Sequence, residues 1–508
     1  MGSVLWILTG GGVPLLLTGC GIFFWFYLRG APLTHPWRML RSMAAKRPGS
    51  GVSPFRAVTL ALAGTLGVGN IVGVASAIRI GGAGAIFWMW ISALVAMILK
   101  YAEIVLAIRH QRVRTNGSRY GGAPYYIRDG LTGNGYRKLG AAVSVLFAGL
   151  IILNAFSMGC VIQVNAVSSA LRGVLGIPLP LCAVVLLLLT VPVILRNAEG
   201  ISALTEYIVP LMSFGYLMLA VLVLILRREA LSSAIVSIFR NAFRPESVGG
   251  GLIGFLTCPA LRVGFMRGLL SNEAGCGTAP TAHAAADAQS PAAQGVWGIF
   301  EVFVDTILLC TATALVILVD PDAVSFSGDD VMMTIHAFAG VLGNWSAWFL
   351  AAAILCFGYA TVICWANYGA ECIAFLSPKK SRKALYRAAF LICIPIGVAV
   401  APGLIWTVSD FAIAALTTGN LLSLFSMRKE IREETGRFLT HGKEAVRSAE
   451  KAESRRLPHT APTCRGAGRN ALTAFPRRKD KPTCGSGTRQ NPTGRRILPS
   501  GRNTVRPR

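Results

Sequence analysis

Charge is scarce in this chain. Asp, Glu, Lys and Arg make up 14% of its 508 residues against 53% hydrophobic residues, too few to solvate an ordinary soluble surface. Apolar runs of roughly 18 residues or more recur instead, and only a bilayer accommodates them in such number. No Cys-x-x-Cys pair occurs, which leaves metal-cluster and dithiol chemistry without a ligand pattern. Ten of the 12 cysteines sit in or beside apolar segments and read as small buried hydrophobes. A GxxxxGK[ST] phosphate loop is missing, so ATP-driven transport has no basis here. The first apolar run, Ser3 to Leu28, lacks a basic leader and is too long for a signal peptide, so it reads as a retained helix. No nucleophile accompanies the paired carboxylates Glu301 and Asp305, and no enzyme activity is expected.

The charge that is present is unevenly placed. Of the net +26, the stretch Arg428 to Arg508 holds 21 Lys and Arg against 7 Asp and Glu. Much of the rest lies in short loops, the pattern of cytoplasmic loops rather than of a nucleic-acid partner. Eleven spans are predicted, near 4–28, 55–80, 84–108, 140–172, 179–196, 204–227, 251–271, 293–319, 345–376, 383–401 and 403–427. The first, third and ninth loops and the tail are basic and share one side, while the eighth carries Asp320, Asp322, Asp329 and Asp330. The positive-inside rule then puts the N-terminus outside and the C-terminus in the cytoplasm of a cell membrane, against one conflict at Arg227, Arg228, Arg240 and Arg244. Stretches near 231–243 and 329–343 are too short to cross and are expected to lie at the interface. The tail, 428–508, is expected to be disordered and drawn to anionic membrane lipid.

One stretch is a poor helix: Gly64-Thr65-Leu66-Gly67-Val68-Gly69-Asn70, inside the second span. Gly costs roughly 1 kcal/mol per helical position relative to Ala, and a break in a spanning helix is tolerated only where it lines a cavity or is buried in protein. Removing the first helix leaves ten, divisible as five plus five in inverted orientation. The seventh span, which opens the second half, is also glycine-interrupted, from Gly249 to Pro259. Broken helices in corresponding positions mark the midplane site of many secondary transporters. The organisation expected is 1–50, an extra helix and basic loop; 51–228, the first repeat; 229–427, the second; and 428–508, the tail.

Several phrases make the chain recognisable: Gly67-Val68-Gly69-Asn70-Ile71-Val72-Gly73, Lys100-Tyr101-Ala102-Glu103, Gln163-Val164-Asn165, and Arg267-Gly268-Leu269-Leu270-Ser271-Asn272-Glu273-Ala274-Gly275. With Phe300-Glu301 through Thr306 and Asp410…Asn420, they resemble the alanine/glycine:cation symporter family over about residues 4–427. The resemblance implies an all-α polytopic membrane protein with a LeuT-type fold, one extra leading helix, and uptake of alanine, glycine or a similar small neutral amino acid. Sodium is the implied coupling ion, with no cofactor and a monomeric state; proton coupling, or a transport-inactive relative that senses its amino acid, is the alternative.

Residue types assign the site. Unwound backbone offers a zwitterion both donors and acceptors, so Gly67, Val68, Gly69 and Asn70 are the expected substrate cradle. The resemblance adds Gln163 and Trp365 as substrate contacts and Thr361, with Asn70, as sodium ligands; hydroxyl and carbonyl oxygens suit a hard cation. Glu301 and Asp305 are intramembrane carboxylates and are expected to couple or gate, or to pair with Arg262 or Arg267. Glu273 is expected at a gate. Relatives usually carry Thr at position 68, Asn at 160 and Arg at 65, where this chain has Val68, Cys160 and Thr65.

Overall fold

The computed structural model describes residues 12–30, 52–195, 198–243, 258–288, 290–400 and 402–440. It is helical almost throughout. The first helix, α1 (Val13–Tyr27), packs on a later one, and the chain then enters the glycine-rich span as α2 (Pro54–Thr65). Ser53 starts α2 cleanly, its hydroxyl accepting from the Arg56 amide with Pro54 at the first turn. A short turn at Val68–Asn70 follows, and the helix resumes as α3 (Val72–Gly81). Next come α4 (Gly84–Arg109), a hairpin of β1 (Arg112–Val113) and β2 (Arg119–Tyr120), α5 (Ala123–Gly133) and α6 (Arg137–Phe156). A π-helical turn, Ser157–Ile162, joins α6 to α7 (Gln163–Leu175); α8 (Leu179–Ile194), α9 (Ala198–Leu226) and α10 (Arg228–Ala242) complete this half.

The second half begins, among the described residues, with α11 (Pro259–Asn272) and α12 (Pro280–His283). A second π-helical turn, Phe303–Cys310, lies between α13 (Pro291–Val302) and α14 (Thr311–Leu318). The remainder is α15 (Pro321–Val324), α16 (Asp330–Leu342), α17 (Asn344–Leu376), α18 (Lys380–Ala399) and α19 (Pro402–Ser426).

Among the described residues, six segments are long and apolar enough to cross a bilayer as continuous helices: Gly84–Arg109, Arg137–Leu175, Ala203–Leu226, Pro291–Leu318, Asn344–Leu376 and Trp406–Ser426. The pair α2 and α3 makes a seventh, bent by 60° at the glycine break. In other predicted ranges the helices are shorter, as in α1, α8 and α11, or open on basic residues, as in α18. The short stretches assigned to the interface form α10 and α16.

One expectation falls outside the described residues and one changes. The predicted break at Gly249 to Pro259 lies largely outside the described residues. The interruption that is described comes later, between α11 and α12. Residues 273–279 are wholly buried yet non-helical, with Glu273, Gly275 and Gly277 at φ of +52°, +90° and +73°. Glycine takes that conformation without strain, whereas Glu273 adopts it against its side chain.

The tail is also corrected, because 428–440 is helical (α20) rather than disordered. Ile431 is fully buried, the Thr435 hydroxyl lies 2.9 Å from that of Tyr101, and Arg109 pairs with Glu430 at 2.8 Å and Glu434 at 2.6 Å. Beside them His110 lies between Glu430, at 3.0 Å, and Asp129 on α5, at 3.8 Å. Burial opposes the charged ring, but the two carboxylates outweigh it and raise the His110 pKa to about 9. Residues 441–508 lie outside the described residues.

Candidate functional site

A helix stopped inside a membrane leaves amides and carbonyls that need partners, and the break after α2 can be followed group by group. The Leu60 carbonyl faces the Cys364 thiol at 3.1 Å, and that of Ala63 the Thr361 hydroxyl at 2.9 Å, both on α17. The Val68 amide donates to Gln163 Oε1 at 3.0 Å, while the same side chain donates to the Met158 carbonyl at 3.2 Å. Gln163 is the first residue after a π-helical turn, a feature frequent at functional sites. Gly67 is required by crowding. A Cβ there would stand 2.7 Å from Thr361 Oγ1 and 2.8 Å from Gln163 Oε1.

Just past the break, the Asn70 amide donates to Asp305 Oδ1 at 2.6 Å and to its carbonyl at 3.1 Å. Asp305 lies in the second π-helical turn and is fully buried. Its other oxygen accepts from Ser271 at 2.6 Å and Thr306 at 2.7 Å, while Asn70 Oδ1 has no partner among the described residues. Three neutral donors thus hold a carboxylate for which no cation is in contact range among the described residues. Gly64, Gly67, Gly69, Ile162, Gln163 and Trp406 line a small cavity here, where the centre of a water molecule has about 10 Å³ to occupy, on the order of one water. Ile162 and Trp406 also line a vestibule of about 240 Å³ holding Arg79, Asp329 and Asp330, so these two residues border both spaces.

A second polar cluster surrounds the interruption at 273–279. Lys100, fully buried on α4, meets Glu301 Oε1 at 3.0 Å and donates to the Asn272 carbonyl at 2.8 Å. The other Glu301 oxygen accepts from His283 Nε2 at 3.0 Å, since Gln294 donates to Nδ1 at 2.9 Å and leaves the ring proton on Nε2. Glu103 accepts from the Gly277 amide at 2.9 Å and the Asn420 amide at 2.5 Å. Glu273 accepts from Thr278 at 2.5 Å. Each of the last two has one oxygen without a partner among the described residues.

The predicted site residues therefore divide. Gly67, Gly69, Asn70, Gln163, Thr361 and Asp305 meet at the break. Val68 contributes its amide, but its side chain points at Gly358, where a Cβ would lie 3.5 Å from Val68 Cγ1. Trp365 is fully buried against Gly159 and is not among the residues that line the cavity. Glu301 and Glu273 belong to the second cluster. The expected pairing of Glu301 or Asp305 with Arg262 or Arg267 is not found: Glu301 takes Lys100, and Arg267 takes Asp410 at 3.5 Å and stacks over Trp406 at 4.5 Å. Lys100 and Ser271 were missed as participants. A lone lysine amid an apolar span was itself the signal.

A multi-pass helical bundle, broken and polar at its buried centre, defines a membrane transporter. The sequence comparisons name its kind. The profile of the sodium:alanine symporter family matches residues 3–452, and the chain belongs to that family. It is 33% identical over 445 residues to the sodium/alanine symporter AgcS of Methanococcus maripaludis, covering 86% of this chain and 95% of that one. An uncharacterised transporter of Haemophilus influenzae is 35% identical over 436 residues, 85% of this chain and 93% of its own. The probable sodium/glutamine symporter GlnT of Bacillus subtilis is 34% identical over 421 residues, 82% and 85% of the two chains. The protein is a transporter and not an enzyme.

Proposed function

We propose that this protein is a secondary active transporter that imports alanine, glycine or a similar small neutral amino acid by sodium symport and alternating access. The observation that carries the reading is Asp305, a buried carboxylate held by Asn70, Ser271 and Thr306 beside an opened helix, with Asn70 Oδ1 left unpartnered. An uncompensated charge is costly in such a setting, and a sodium ion bound by Asp305, Asn70 and nearby hydroxyl or carbonyl oxygens, Thr361 among them, would compensate it. The amides from Gly67 to Asn70 take the substrate carboxylate, and Gln163 fixes the break and meets the substrate. Trp365 supports the π-helical turn before Gln163 through Gly159. Glu301 couples through Lys100, and Glu273 belongs to the gate at the second interruption.

The names of the relatives support the substrate class. The helix order supports a LeuT-like arrangement of an extra helix plus two five-helix repeats, eleven spans in all, with repeats at 51–228 and 229–427. The basic loops support a cytoplasmic C-terminus in the cell membrane. Proton coupling is the second reading, favoured by the buried Glu103 and Glu273, whose unpartnered oxygens leave room for a proton.

Labelled alanine uptake into proteoliposomes tests this. Accumulation is expected only with an inward sodium gradient, and Asn70→Ala should abolish it at equal protein incorporation. Equal accumulation under a proton gradient alone would select the second reading, and undiminished uptake by Asn70→Ala would remove the site assignment.

A further inference from the structure

The two buried polar clusters meet at one residue. Asn272 is the last residue of α11 and is fully buried, and its side-chain nitrogen, side-chain oxygen and carbonyl each take a different partner. Its Nδ2 donates to the Thr306 hydroxyl at 3.1 Å, and that hydroxyl donates in turn to Asp305 Oδ2 at 2.7 Å. Its Oδ1 accepts from the Ala274 amide at 3.0 Å, inside the interruption at 273–279. Its carbonyl accepts from Lys100 at 2.8 Å, whose ammonium meets Glu301 at 3.0 Å. The donor order is fixed. The Ala274 amide can only donate, which orients the Asn272 side chain, and the Thr306 hydroxyl has one proton, already given to Asp305. The path also returns to the glycine break, since Thr65 at the end of α2 donates to Glu301 at 3.4 Å.

We propose that Asn272 is a positioning residue that couples a cation held at Asp305 to the second interruption. The direction of the coupling follows from the donor order. An uncompensated Asp305 carboxylate draws the Thr306 proton strongly, and that polarisation makes the Thr306 oxygen a better acceptor for Asn272. A cation at Asp305 takes up part of the charge, weakens the Thr306 bond and slackens the hold on Asn272. Ala274 is then held less firmly, and a loop already strained at Glu273 opens more readily. Three amides report that opening: Ala274 donates to Asn272, Cys276 to the Glu273 carbonyl at 3.2 Å, and Gly277 to Glu103 at 2.9 Å. That the ion is sodium rests on the transport reading; the linkage from Asp305 to Asn272 does not.

Amide hydrogen exchange on the full-length protein in detergent tests it. In the parent, the three amides should exchange about fivefold or more faster in sodium chloride than in choline chloride of equal ionic strength, the lower end of couplings between sites. Thr306→Val, similar in shape but without the hydroxyl, should bring that ratio to one, and Thr306→Ser should keep it. Asn272→Ala should exchange fast in both salts, again with a ratio of one. A residue that only supports the fold would raise both rates and leave the ratio as in the parent. A ratio unchanged in Thr306→Val or Asn272→Ala, or exchange slowed by sodium in the parent, would therefore overturn the proposal. Asp305→Asn separates the coupling from the ion. In choline chloride it should by itself speed exchange by a similar factor, and the effect should vanish when Thr306→Val is added. If sodium leaves the parent unchanged while Asp305→Asn speeds exchange, the coupling stands and the sodium assignment falls. If Asp305→Asn changes nothing, the coupling falls whatever sodium does.

Discussion

Among the described residues the chain is interrupted twice in its buried interior, and the two interruptions are built from different chemistry. At the first, the carbonyls of Leu60 and Ala63 and the amide of Val68 meet a thiol, a hydroxyl and a side-chain amide, and one carboxylate stands beyond them. At residues 273–279 the surroundings hold Lys100, Glu103, Glu273 and Glu301, and the loop bends through three positive-φ residues. Neutral partners release a backbone at little cost, which suits a place that must exchange them for a ligand. A buried ion pair costs several kcal/mol to separate, which suits a place that must hold one arrangement until something displaces it. On the proposed function, the first interruption binds and the second locks.

Substitutions can break that contrast. The largest effect is expected from Lys100→Met, which strands Glu301 and should lower stability by about 3–5 kcal/mol, read as a fall in melting temperature in detergent. Adding Glu301→Gln should recover a good part of the loss, since neither charge then remains unpaired. At the neutral interruption, Gly67→Ala should lower stability by only about 1–3 kcal/mol yet reduce alanine uptake by about tenfold or more, because the methyl displaces Gln163 or Thr361. An equal loss of stability at both places would erase the distinction.

Smaller effects sharpen it. His110 has a raised pKa in the folded protein, so its contribution is complete below the ordinary histidine value near 6.5 and is lost as pH rises through about 9. Melting temperature should therefore fall from pH 7 to pH 10 by an amount equivalent to roughly 1–2 kcal/mol after allowance for solvent, and His110→Gln should remove the slope. The smallest change is expected from Val68→Thr. Its side chain faces Gly358 rather than the cavity, so the ratio of alanine to glycine uptake should stay as in the parent.

How much of this was readable beforehand differs between the two interruptions as well. Gly64, Gly67 and Gly69 followed by Asn70 advertise a broken helix, because each glycine has a local cost that only a distant partner justifies. That distant partner was less visible. Gln163 could be singled out as an amide in an apolar run, but nothing local shows that a π-helical turn aims it at the Val68 amide. Asp305 and Glu301, four residues apart, read as one face of one helix, yet the same kind of turn sends them to different clusters. The glycine-dense stretch from Gly249 to Pro259 lies largely outside the described residues, whereas the described interruption depends on Glu273 in a conformation that no propensity favours. Val68 looked like a change in the binding surface only because side-chain direction within a break cannot be read from composition.

The two π-helical turns have one more implication. Each accommodates a single residue more than an α-helix would, as an insertion does, and the extra residue leaves the helix on either side intact. Deleting one residue from Ser157–Ile162 would let that helix close as α and rotate everything beyond it by about 100°, carrying Gln163 away from the glycine break without changing its identity. Among related chains, a length difference of one residue at this point would therefore separate proteins that keep the amide at the break from those that have turned it elsewhere.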